Sequence, residues 1–140
     1  MLLGFKKRFA PNIINGSKIH TLRNARKVEP KIGELLYMYT GLRTRNCELI
    51  RKDLTLKSIQ QVEIVFYWGS YDRHGNEKES ESHHPVIWVD HEHLTDDQIN
   101  DFFVNDGFKD ESDFVNFWDL KKGSDVVAEL QMFHWTDFVY

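Results

Sequence analysis

Gly16-Ser17-Lys18-Ile19-His20-Thr21-Leu22-Arg23 is the stretch on which the reading of this chain turns. A glycine ends a short helix readily because it accepts a positive φ, and the side chains that follow then leave the turn together and can converge on one small polar ligand. Lys18 offers a charge or a tunable base, Thr21 a hydroxyl, and Arg23 a rigid fork suited to phosphate or carboxylate. A basic surface turn after a helix would have the same spacing, so the rest of the chain has to separate the two readings.

At 140 residues the chain suits one domain with its own core, and 14% aromatic residues supply material for it. Cys47 is the only cysteine, which excludes an internal disulfide and a cysteine metal cluster. A reducing, cytoplasmic setting is expected. Met1-Leu2-Leu3-Gly4-Phe5 stands before Lys6-Lys7-Arg8, the wrong order and too short a run for a signal peptide. The net charge of −4 conceals two opposed halves. Residues 1–60 carry 13 Lys and Arg against 4 Asp and Glu, a balance of +9, whereas residues 61–140 carry 5 against 18, a balance of −13. The motif lies in the basic half, as a site for an anionic ligand would. The halves could equally neutralise each other across the fold. The acidic total argues against sequence-blind duplex binding, which rests on phosphate neutralisation.

Hydrophobic spacing predicts strands over 2–6, 34–40, 47–50, 61–68, 86–89 and 126–135, with the 34–40 segment read as buried. Val62, Ile64, Phe66 and Trp68 share one face at period two. Pro11 and Asn15-Gly16 bracket about one and a half helical turns. Thr95 and Gln98 form a capping box for a helix that carries Ile99, Phe102 and Phe103 and stops at Asp106-Gly107. A further helix from Asp110 places Phe114, Phe117 and Trp118 on one face and ends by Lys122-Gly123. Residues 71–82 are nearly devoid of apolar side chains and read as a hairpin tip or insertion. The succession implies one α+β domain over 1–140 with a small, curved sheet or barrel.

Gly16-x-Lys18-x-x-Thr21-x-Arg23 resembles the signature of the ASCH domain family. Gly33-Glu34 resembles the pair that opens the family's next strand, and Asp106-Gly107-Phe108 its acidic Gly-Phe turn before a helix. The resemblance touches most of residues 1–45 and 95–138; 69–93 is a polar hairpin insertion without a family counterpart. It implies a PUA-like fold, a small β-barrel with flanking short helices, and a cleft for RNA, a nucleotide or a modified nucleoside. The enzymatic members it resembles are acetylcytidine amidohydrolases, and by that likeness Lys18 would be the base, Thr21 the nucleophile and Asp106 the acid. The family has glutamate at the last position. An acid one methylene shorter weakens catalysis more than binding, since a displacement of about 1 Å can cost on the order of a hundredfold in rate. Neither a metal nor another cofactor is implied.

The chemistry is coherent in either role. A threonine hydroxyl needs a base, and a lysine serves as one when burial or a positive neighbour such as Arg23 lowers its pKa. Without chemistry, Gly16, Lys18, His20, Thr21, Arg23 and Arg43 form a ligand-binding set, Arg43 joining from a strand end. Asp106 then holds Lys18 or merely ends a helix. A rival constellation is histidine: His83-His84 and His91-x-His93, with His74 upstream, has metal-ligand spacing if the last two share a strand face. Glu77, Glu79 and Glu81 favour a solvated insertion instead. His134, between Met132 and Trp135, reads as a hydrogen-bonded core histidine. Tyr37, Tyr39, Tyr67, Trp68, Tyr71 and Trp88 are either core or stacking surfaces for exposed bases. Binding of RNA or a nucleotide-like ligand is thus the leading expectation. Deacylation of a modified nucleoside comes next, then a protein-interaction domain using the acidic half.

Overall fold

The computed structural model describes residues 1–71, 74, 77–119 and 126–140; for 67–71, 77–84 and 126–128 the backbone alone is described. Strand β1 (Leu2–Phe5) leads through a single 3-10 turn, Lys7–Phe9, into helix α1 (Ala10–Asn15). Pro11 suits the first turn of α1, where its missing N–H costs nothing. Gly16, at φ 84°, ends the helix in the left-handed region, as the motif predicted. The motif then continues as strand β2 (His20–Arg23), a segment in which the hydrophobic spacing marked no strand. Strands β3 (Leu35–Thr40), β4 (Glu48–Thr55), β5 (Ser58–Tyr71), β6 (Glu77–Val89) and β7 (Glu92–His93) follow. Helices α2 (Asp96–Asn105) and α3 (Glu111–Phe117) precede the final strand β8 (Val126–His134).

The described strands form two sheets, ordered β1-β3-β4 and β2-β8-β5-β6-β7. The first pairs β1 with β3 in parallel and β3 with β4 antiparallel. The second is antiparallel throughout, with Thr21 opposite Phe133 and His20 opposite His134. The chain is therefore α+β, as the order of segments implied. Ladder pairing carries β4, β5 and β6 beyond the lengths expected from apolar content, because a strand with one wet face needs hydrophobic residues only at alternate positions. Thus β5 and β6 pair out to Tyr71 opposite Glu77, with a shift of register between Trp68 and Ser70, in the polar stretch read as a hairpin tip.

Strand β3 is buried on one face only: Leu36, Met38 and Thr40 point inward while Leu35 and Tyr37 are exposed. The core gathers Leu3, Ile13, Leu36 and Met38 with Val62, Ile64 and Phe66, and Phe102 and Phe103 of α2 lie over it. Thr95 caps α2 with both halves of the capping box formed. Helix α3 stops at Phe117; Phe114 is buried, while Phe117 and Trp118, in ring contact on the same side, are partly exposed at its edge. The stop expected at Lys122-Gly123 lies outside the described residues. His91, at φ 72°, sits with Asp90, at φ 50°, in the two-residue turn between β6 and β7. It therefore does not share a strand face with His93, which removes the geometry on which the histidine constellation depended. The side chains of His83 and His84 are outside what is described, and among the described residues no three metal-ligating groups converge. No helix among them is long and apolar enough to cross a membrane.

Candidate functional site

The end of α1 and the start of β2 are tied to two other elements, and this places the motif side chains. Lys18 N donates to Asn12 O (3.0 Å) and Ile19 N to Asn105 O (2.9 Å), while Lys18 O accepts from Trp135 Nε1 (3.2 Å). With its backbone held on both sides, Lys18 sends its chain inward until the residue is only 2% exposed. Its Nζ donates to Asp106 Oδ1 at 2.7 Å and also to the Asp106 carbonyl. Asp106 closes α2, so the ammonium also meets the carbonyl end of that helix, where a positive charge is favoured. Gly107, at φ 91°, permits this approach: a Cβ there would come to 3.0 Å from Lys18 Cδ and from Phe9 Cδ1.

Strand alternation divides the motif between two faces. Thr21 and Arg23 face a cleft of about 400 Å³, lined also by Phe5, Lys6, Phe9, Lys18, Asp106, Phe108 and Phe117 and by Gly41, Leu42 and Thr44 of the segment after β3. Lys18, Thr21 and Asp106 thus share one cavity. The Thr21 hydroxyl has no hydrogen-bond partner among the described residues, although the residue is only 5% exposed. Arg23 is partly committed: one guanidinium nitrogen donates to Gly4 O at 2.7 Å and the group lies 4.9 Å from the centre of the Phe5 ring. Lys18 Nζ lies 5.0 Å from the Phe9 ring centre.

Burial pushes the Lys18 pKa below the usual lysine range, and Arg23 adds to this while Asp106 resists it. Burial acts on Asp106 in the opposite sense, but Lys18 and His20 outweigh it and hold the carboxyl below its usual range. The pair is an ionic contact in a site that favours the lysine's release of a proton more than water does.

The other expected residues fall elsewhere. Gly16 is an exposed helix end and does not line the cleft. His20 points to the opposite face of β2, fully buried against Phe102, His134 and Tyr140. Arg43, exposed at φ 69°, lies in the turn whose neighbours line the cleft and is itself outside the lining. Of the tyrosines, Tyr37 is exposed on the outer face of β3, away from the cleft lining. Sequence reading missed the aromatic walls. Phe5 and Phe9 were not singled out, and Phe108 and Phe117 entered only as parts of a turn and of a helix face. No family model, no curated protein and no solved structure matches this chain.

Proposed function

We propose that the chain is an ASCH-like, PUA-related domain whose cleft binds a nucleoside-containing ligand, either a nucleotide or an exposed nucleotide of RNA. The observation that carries this reading is the composition of the cleft: phenylalanine rings on several sides, and among them a carboxylate, a hydroxyl, a lysine and an arginine. Rings supply stacking to a base, and fixed donors and acceptors read its edge. A volume of about 400 Å³ is in the range of small-ligand sites. Titration calorimetry with nucleosides, nucleotides and short single-stranded RNAs tests it. At least one should bind, and Thr21→Val should weaken that ligand about three- to tenfold through loss of one hydrogen bond. Absence of binding across the panel, or indifference to Thr21→Val, refutes the proposal.

A second reading, amide hydrolysis on an acylated nucleoside, is favoured by one specific feature. The unpartnered Thr21 hydroxyl shares its cavity with a buried lysine whose proton is held less tightly than usual. In this reading neutral Lys18 takes the Thr21 proton as the Thr21 oxygen attacks the acyl carbonyl. The amide C–N bond breaks as the nucleoside amine takes that proton from Lys18, and water then hydrolyses the threonine ester, releasing the acid and restoring the threonine. Asp106 meets Lys18 at 2.7 Å despite being shorter than glutamate. Incubation with acetylcytidine, followed for release of cytidine and acetate, should show turnover that Thr21→Ala abolishes. Turnover that survives Thr21→Ala rules out the mechanism.

A further inference from the structure

Behind the Lys18–Asp106 pair, on the side away from the cleft, lies a buried polar chain that the proposed function does not use. Asn105 Nδ2 stands 3.0 Å from the Tyr140 hydroxyl, and that hydroxyl 3.0 Å from His20 Nε2. On the far side of the imidazole, His20 Nδ1 is 3.5 Å from Asp106 Oδ1, the same oxygen that accepts from Lys18. His20 is completely buried, and Nδ1 has no hydrogen-bond partner among the described residues. At 3.5 Å its contact with Oδ1 is electrostatic, longer than a formed hydrogen bond; contacts of this kind in unliganded sites often tighten once ligand is bound.

Donor and acceptor counting assigns the protons. The Asn105 amide nitrogen can only donate, so the Tyr140 oxygen accepts from it and turns its own hydrogen toward His20. Nε2 of His20 then accepts, which leaves the ring proton on Nδ1, aimed at Asp106; the other arrangement, with Nε2–H donating to the same phenol oxygen, would leave the Tyr140 hydrogen unused and a bare Nδ1 facing the carboxylate. The other groups near the imidazole do not reverse this. Phe102 is apolar, and His134 is itself fully buried and lies 5.2 Å away between ring centres. Lys18 disfavours a second proton on His20, and burial disfavours it more. The backbone keeps the chain of contacts in place: Ile19 N is bonded to Asn105 O, and Tyr140 exchanges hydrogen bonds with Gln60 at 3.2 and 3.3 Å.

We propose that His20 is a positioning residue for the cleft: held as the neutral Nδ1–H tautomer by the Tyr140 hydroxyl, it directs that proton at Asp106 Oδ1 and so sets how firmly the carboxylate holds Lys18. This deepens the reading of the cleft as the functional site but involves no ligand, so its test is independent of whether any nucleoside binds. Long-range proton–nitrogen NMR of the wild-type protein reads the tautomer directly. The expected result is a protonated Nδ1 and an unprotonated Nε2 on His20 at neutral pH; a protonated Nε2 overturns the proposal. The coupling to Lys18 is read from the titration of its ε-carbon signal in His20→Asn and His20→Gln. Both substitutions remove the ring and loosen packing, asparagine more than glutamine, but the asparagine amide can occupy the Nδ1 position and the glutamine amide the Nε2 position, so a packing effect alone would perturb Lys18 more in His20→Asn. Lys18 in His20→Gln should titrate at higher pH than in the wild type, and in His20→Asn closer to the wild type. A shift in His20→Asn as large as or larger than that in His20→Gln means that packing alone is at work and rejects the positioning role.

Discussion

Lys18 is the residue on which the local energetics concentrate. A lysine 2% exposed is tolerated because Asp106 and the end of α2 supply its acceptors, and such a pair is far costlier to break than to replace. Asp106→Asn should therefore lower unfolding stability in urea by about 3 kcal/mol near neutral pH. The folded-state pKa of Lys18 is depressed, so between that value and the unfolded value the unfolded chain binds more protons and stability rises with pH. The deficit of Asp106→Asn should accordingly narrow when the urea midpoints are measured at about pH 9, where the lysine sheds its charge more readily. Gly107→Ala attacks the same spot sterically. A methyl 3.0 Å from Lys18 Cδ and Phe9 Cδ1, on a residue at φ 91°, should destabilise by about 1–3 kcal/mol. It should also disturb the Lys18 ε-carbon signal, which a distant destabilising substitution would leave in place.

Helix α2 and the β6–β7 turn show how local chemistry delivers the acid to the cleft. Thr95 starts α2 with a reciprocal capping box, and the helix ends eleven residues later at Asp106. Thr95→Ala should cost about 1 kcal/mol in urea unfolding while Thr95→Ser stays near the wild type, since the serine hydroxyl restores the bond to Gln98 N. At the turn, Asp90 earns its left-handed conformation by accepting from Gln61 N (2.8 Å) and Gln60 Nε2 (3.0 Å). His91 makes the second left-handed step, at φ 72°, without being a glycine. Asp-Gly is a strongly favoured pair for such a hairpin, so His91→Gly should raise the thermal midpoint, with a gain of a few tenths to about 1 kcal/mol.

Across the whole molecule, the two sheets separate the chain's opposed charges in part: β1, β3 and β4 all come from the basic first 60 residues, and β6 to β8 from the acidic remainder. The cleft takes most of its lining from the basic part and Asp106, Phe108 and Phe117 from the acidic one. Buried imidazoles contribute to the dependence of stability on pH. His134 is fully buried with neither ring nitrogen hydrogen-bonded among the described residues, and burial, then His20, lower its pKa to about 3. The unfolded histidine binds its proton near 6.5, so stability is lost as pH falls from there toward 3, by about 1.4 kcal/mol per pH unit. His20 acts in the same sense. Glu111, raised to about 7 by burial and then Asp110, opposes them between its unfolded value and 7. Comparing the wild type with His134→Leu isolates one imidazole: the wild-type urea midpoint should fall more steeply from about pH 6.5 to about pH 4 than that of the variant.

What the sequence determined by itself is local: the glycine stop of α1, the capping box of α2, the one-sided face of Val62, Ile64 and Phe66, and the α+β order of segments. These follow from sterics and hydrogen bonds among residues a few positions apart, which any neighbour-by-neighbour reading can reach. Lys18 and Thr21 were legible as candidates from their chemistry just after a glycine stop, and Asp106 only through the resemblance to the ASCH signature, but their meeting in one cleft was not. The tertiary structure alone decided that Lys18 is buried against an acid 88 residues away, that β2 pairs with β8, and hence that His20 faces inward while Thr21 faces the cleft. The physical reason is that a strand's two faces are equivalent until a partner sheet and a core choose between them. A charge, likewise, is buried only where the fold brings its counter-charge.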